Sequence, residues 1–148
     1  MEPVADTYAY CLLRNHFHFL VRIKDASSPN VAQAFSNLFN AYAKAINKAY
    51  GRTGSLFQHP FGRIRVDDDR YFAWLVVYVH RNPQKHGLID DFRDWPHSSY
   101  HTLISTQPTR LKREEALAWF GGLGAFRLTH DEAANERELQ PLVDEDFG

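Results

Sequence analysis

The spacing of hydrophobic residues changes once early in the chain, at Ser27-Ser28-Pro29, and that change limits what the first third can become. Ahead of it, Tyr8–Leu13 and Phe17–Ile23 are dense in aromatic and β-branched residues and read as strands. Arg14-Asn15 between them suits a tight connection, so a hairpin is expected. Beyond it, Val31, Ala34, Phe35, Leu38, Ala41, Tyr42, Ala45 and Ile46 recur at steps of three and four, the mark of one apolar helix face. Ser28 is the expected N-cap, Pro29 the first helical residue, and Gly51 the stop after Tyr50.

The remaining elements are shorter. Phe61–Val66 alternates, with Ile64 and Val66 on one side and Arg63 and Arg65 on the other, as in a half-buried strand. The acidic run Asp67–Asp69 suits a helix start, and the helix expected over Asp69–Arg81 stops where Asn82-Pro83 disfavours the α region. Trp95-Pro96-His97-Ser98 reads as a capped start for a helix reaching Ile104. A further helix spans Lys112–Phe120 and ends at Gly121-Gly122, followed by an acidic peripheral helix or tail. There is no internal repeat.

Composition excludes several classes of protein. With 148 residues, 44% of them hydrophobic and 14% aromatic, the chain can bury a core, which rules out wholesale disorder. No apolar run has the length of a membrane span. The N-terminus does not read as a signal peptide, and a lone Cys11 excludes a disulfide framework, so a cytoplasmic setting is expected. The net charge of -1 conceals an asymmetry: residues 1–102 carry 12 basic against 9 acidic groups, and residues 103–148 carry 5 against 9. Arg14–Arg65 alone holds eight basic residues and one acid, Asp25, which suits either a polyanion footprint or a solvated basic face.

Two pairs carry potential chemistry. His16 and His18 stand at i and i+2 on an expected strand, so both imidazoles project from one face while Phe17 and Phe19 take the other. They are either half of a metal site or two ordinary histidines on a polar sheet face. Tyr78 and Asn82 are four apart and share a helix face, though helix burial and a polar helix end would account for them equally well. Together the pairs supply an oxygen nucleophile, two imidazoles and an amide oxygen, the parts that phosphoryl transfer from a nucleic acid requires. Arg52, Arg63, Arg65, Lys44 and Lys48 are candidates for contacting phosphates. Phe57, Phe61 and Trp95 could stack on unpaired bases, but the core is the commoner place for aromatics.

Five stretches in order resemble the single-tyrosine HUH transposases, and most closely their REP-associated branch. They are Tyr10–Leu20 with its His-Phe-His, the loop Tyr50–Gln58, Val66–Asp69, Tyr78-Val79-His80-Arg81-Asn82-Pro83, and Asp94–Tyr100. The resemblance covers residues 8–122. It implies a small α+β fold, an antiparallel sheet flanked by helices of the ferredoxin-like, HUH-endonuclease-like kind. It also implies metal-dependent nicking and strand transfer of single-stranded or hairpin DNA, through a 5′-phosphotyrosine that leaves a free 3′-OH. By that resemblance Tyr78 is the nucleophile, and His16, His18 and Asn82 hold Mg²⁺ or Mn²⁺. Nitrogen ligands favour Mn²⁺.

The family has a strand and a helix ahead of the histidine strand, whereas only seven residues precede Tyr8 here, so an N-terminally truncated version is expected. Arg14 replaces a customary proline, and His59 and Gly62 stand where basic residues are common. The reading therefore places a transposase-like domain at residues 1–122 and an acidic helix or tail at 123–148, with a nucleoid-associated location and a homodimer as further expectations. A catalytically inactive DNA-binding remnant is the alternative. A zinc hydrolase built on His16, His18 and His86 is a third reading.

Overall fold

The computed structural model describes residues 4–13, 16–25, 30–54, 65–66 and 71–132. It is α+β. Strand β1 (Ala5–Leu12) and strand β2 (Phe17–Ile23) form a two-stranded antiparallel sheet. Five α-helices follow: α1 (Val31–Tyr50), α2 (Phe72–Lys85), α3 (Tyr100–Ile104), α4 (Arg113–Phe120) and α5 (Leu123–Asp131). Contacts cluster into two compact units, one within Met1–Asp6 and Val21–Phe61, the other within Thr7–Leu20 and Gly62–Gly148. No helix among the described residues is long and apolar enough to cross a membrane.

The expected hairpin is present, closed by the Leu13 N–H donating to the His16 carbonyl at 2.9 Å. β1 is also held on its other edge. The Leu12 N–H donates to His97 O at 2.8 Å, the Ser99 N–H donates to Tyr10 O at 3.0 Å, and Cys11 and Ser98 form an antiparallel bridge. The Trp95 indole N–H donates to the Leu12 carbonyl at 3.0 Å. The helix reaching Ile104 is present as α3; it begins at Tyr100, whose N–H donates to Ser98 Oγ at 3.3 Å, while His97 and Ser98 lie along β1. The reason is the backbone of β1, whose unpaired groups compete for this segment and give it partners a helix end would not. Cys11, between the two pairings, is fully buried, and burial pushes its thiol up to about 12.

α2 is the central element of its unit. Every residue from Leu75 to Pro83 is buried, so it is a core helix without a solvent stripe along this stretch. It packs with Tyr8, Cys11, Phe92, Tyr100, Leu103 and Phe126 in one apolar cluster. Each fully buried large side chain there contributes about 1.5–3 kcal/mol of transfer free energy. The expected stop at Asn82-Pro83 is corrected, because the helix runs on to Lys85 with Pro83 inside it. Two bonds close the end: Leu88 N–H to Pro83 O at 2.9 Å and Gly87 N–H to Gln84 O at 3.1 Å, with Gly87 at φ +71. That is the glycine-capped helix terminus, so the decisive stop signal is Gly87.

α5 joins the core by one face. A helix, Leu123–Asp131, does follow Gly122; its Phe126 and His130 are fully buried in the core, while Leu123 and Leu128 face solvent. Residues 133–148 lie outside the described residues. In the other unit, α1 ends as expected at Gly51, which adopts φ +63. Its apolar stripe, including Phe35, Leu38 and Ile46, is half-buried. The Ser28-Pro29 start and most of Phe61–Val66 lie outside the described residues; Arg65 and Val66, which are described, are not in a strand.

Candidate active site on the Tyr78 face of α2

The start of β2 and the second half of α2 bring four of the sequence-predicted residues together. The His16 and His18 rings meet edge to face with centroids 5.2 Å apart, as alternation along a strand requires. The His18 ring meets the Tyr78 ring edge to face at 5.6 Å. Asn82, one turn beyond Tyr78, influences both imidazoles through its side chain. The site is largely dry: Tyr78 is 7% exposed, His18 8% and Asn82 0%. His18 is therefore no surface histidine, although the strand pattern alone would allow one.

Electrostatics set the protonation of these groups. Burial first, then the neighbouring His16, His86 and Lys85, lower the pKa of His18 to about 4, with Asn82 acting in the opposite sense. Burial also lowers the pKa of His16, against Asn82 and with His86. Both imidazoles are consequently held in the neutral form that can donate a lone pair to a metal. The Asn82 amide is fully buried, yet neither Oδ1 nor Nδ2 closes a hydrogen bond of ordinary geometry. Leaving such a group unsatisfied costs about 1–3 kcal/mol. A divalent cation beside Oδ1 would remove part of that cost, so two neutral imidazoles and this amide fit such an ion. Among the described residues, no group of three or more His, Cys, Asp or Glu side chains is arranged to hold one. The three-histidine reading thus loses its support, although the His86 ring does approach that of His16 at 5.4 Å.

The other predicted residues fall elsewhere. Lys44 and Lys48 are exposed on α1, and Arg52 is exposed just after it, its NH1 donating to Asn47 Oδ1 at 3.3 Å. Arg65 is exposed, and Arg63 lies outside the described residues. Phe57 and Phe61 also lie outside them. Trp95 serves the backbone of β1 through its indole. Sequence reasoning gave Lys85 no role, yet its Nζ lies 5.1 Å from the Tyr78 ring centroid. The signal that would have found it is Gly87, which allows the helix to extend past Pro83.

On the opposite side of α2, His80 is fully buried and belongs to a separate network. Its Nδ1 lies 2.8 Å from His130 Nε2 and its Nε2 2.7 Å from Ser99 Oγ. His130 Nδ1 faces the Phe126 carbonyl at 2.7 Å, so that nitrogen must carry a proton. With both rings neutral, the direction of every bond follows: His80 Nδ1–H donates to His130, and the Ser99 hydroxyl donates to His80. Ser99 Oγ then accepts the Tyr10 N–H at 2.9 Å. The network joins α2, α5, Ser99 and β1 with every member satisfied. His80 is therefore no metal ligand, in line with its position away from the Tyr78–Asn82 face.

The site defines a class before any relative is considered: a buried tyrosine beside a histidine pair and an amide, all on one hairpin and one helix. The chain is similar to a REP-associated tyrosine transposase of Haemophilus influenzae, with 28% identity over 111 residues, 69% of this chain and 62% of that protein. It thus spans a little over three-fifths of its relative's length. No family model matches the sequence, and no solved structure matches it.

Proposed function

We infer that this chain is a transposase-type enzyme of the single-tyrosine HUH kind, which nicks and rejoins single-stranded or hairpin DNA in the manner of REP-element processing. The observation that carries the reading is the contact of the buried Tyr78 with His18, with His16 and Asn82 beside them. The similarity to a REP-associated tyrosine transposase supports it. In this reading the Tyr78 oxygen attacks a backbone phosphorus and loses its proton. The P–O3′ bond breaks, the 3′ oxygen takes up a proton, and the 5′-phosphate stays on Tyr78. His16, His18 and Asn82 would hold Mn²⁺ or Mg²⁺, which when bound polarises the phosphate and offsets the charge that develops on its oxygens. Packing of the tyrosine ring in a dry site fixes its approach, so orientation supplies part of the rate. The basic residues Arg52, Arg63, Arg65, Lys44 and Lys48 would bind the strand through its phosphates.

The test is a nicking assay on a pool of single-stranded hairpins with Mn²⁺. Wild type is expected to cleave, and His16→Ala and His18→Ala are each expected to abolish cleavage. His16 is only half-buried, so its variant separates chemistry from packing more cleanly than that of His18. Asn82→Ala should be milder, because water can take the place of one neutral oxygen ligand. Wild-type rates in all three variants would remove the metal-site reading. A folded wild type that binds hairpins and cleaves none of them would be the DNA-binding remnant.

A further inference from the structure

Helix α2 carries two basic residues a turn apart, Arg81 and Lys85, and the fold uses them in opposite ways. Arg81 is turned inward and 9% exposed. Its NH1 donates to the His130 carbonyl at 2.7 Å, and its guanidinium stands 5.0 Å from the Phe92 ring centroid. That charge is committed to holding α5 and the Phe92 turn against α2. Lys85 is exposed, and its Nζ lies 5.1 Å from the centroid of the Tyr78 ring. Positions 78, 82 and 85 fall on one stripe of the helix, so Lys85 stands where the Tyr78 site opens to solvent. It reaches that place only because the helix continues through Pro83.

The placement of this ammonium gives it a purpose beyond solubility. Among the described residues, Lys85 is the charged side chain that touches the Tyr78 ring. The cation–π contact holds the ammonium at the exposed rim of the Tyr78 ring, where a phosphate presented to the tyrosine would meet it.

We propose that Lys85 is a phosphate-binding residue of this site: its ammonium holds the backbone phosphate of a single DNA strand beside the Tyr78 oxygen. The assignment rests on the reading of Tyr78 as the residue that attacks DNA. Each phosphate neutralised on a single strand contributes about -0.7 to the slope of log affinity against log salt.

The experiment titrates the full chain with an oligothymidylate over a range of salt, comparing wild type, Lys85→Gln and Lys85→Arg. The slope should become shallower by about 0.7 in Lys85→Gln and stay at the wild-type value in Lys85→Arg. A merely structural lysine would leave it unchanged. In parallel, acylation of lysines is followed by mass spectrometry, and saturating oligothymidylate should protect Lys85. An unchanged slope in Lys85→Gln overturns the proposal, as does equal acylation of Lys85 with and without DNA. A wild-type chain that fails to bind oligothymidylate even at low salt removes the functional reading itself, and the proposal with it.

Discussion

Tyr78→Phe is expected to leave the protein folded and to eliminate covalent protein–DNA adduct. The ring makes the packing contacts, against His18 and beneath Lys85, and phenylalanine keeps that ring. Loss of the hydroxyl alone should cost under about 1.5 kcal/mol. Three other tyrosines of the same unit are placed otherwise. Tyr71 lies two turns earlier on the axis, about 10 Å away. Tyr8 is buried with its hydroxyl on Glu115 at 3.0 Å, and Tyr100 is buried among His80, Phe92 and Phe126. Tyr50 is exposed on α1, in the other compact unit. The measurement is a denaturing gel of protein incubated with cleavable hairpin DNA and Mn²⁺, wild type beside variant. A shifted, covalently linked band that survives in Tyr78→Phe would sink the assignment of the nucleophile.

Acid should destabilise this chain well before its carboxylates titrate, through the buried histidine pair. Burial lowers the pKa of His130 to about 4, with Arg81 and Arg93 lowering it and the Phe126 carbonyl and Asp131 raising it. His80 is held well below the usual imidazole value by burial, then by His130 and His101. In the unfolded chain both titrate near 6.5. Between that pH and about 4 the unfolded state therefore binds more protons than the folded one, and stability rises with pH across this window. It is at its full value above neutrality and is lost as pH falls. For His130 alone, a depression from 6.5 to about 4 corresponds to about 3 kcal/mol. His80 adds in the same direction, against a total stability of typically 5–15 kcal/mol. Urea midpoints measured from pH 7 down to 4 should fall steeply below about 6.5. A flat profile would mean that the pair is charged or open to solvent.

The difference between the two histidine groups shows what a one-dimensional pattern can and cannot reveal. His16 and His18 are legible because strand alternation alone places them on one face, and Tyr78 and Asn82 because a helix repeats every three to four residues. Bringing the two pairs together is a tertiary event, which the resemblance anticipated and local periodicity could not. His80, Ser99 and His130 have no shared period and come from three segments, so nothing local announces their network. The Asn82-Pro83 dipeptide misled because a proline near a helix end forfeits little. The carbonyl left without a partner lies near a terminus, and Gly87 supplies the left-handed turn that actually ends α2. Trp95–Ser98 kept part of its capping pattern, since Ser98 Oγ accepts the Tyr100 N–H, while its backbone was drawn to the edge of β1.

The solitary Cys11 turns the centre of the sheet into a place where opening can be timed. Its backbone stands between β2 and the Ser98 bridge, its side chain is buried in the apolar cluster, and burial pushes its thiol up to about 12. The thiolate is the form that reacts with alkylating reagents, so a closed β1 is inert to them. Labelling must then wait until β1 detaches from at least one neighbour. Because no second thiol competes, the rate of label uptake is a clock for that detachment alone. Run in the presence of a DNA strand, the same clock would register whether an occupant of the Tyr78 face stiffens a hairpin edge that it never touches.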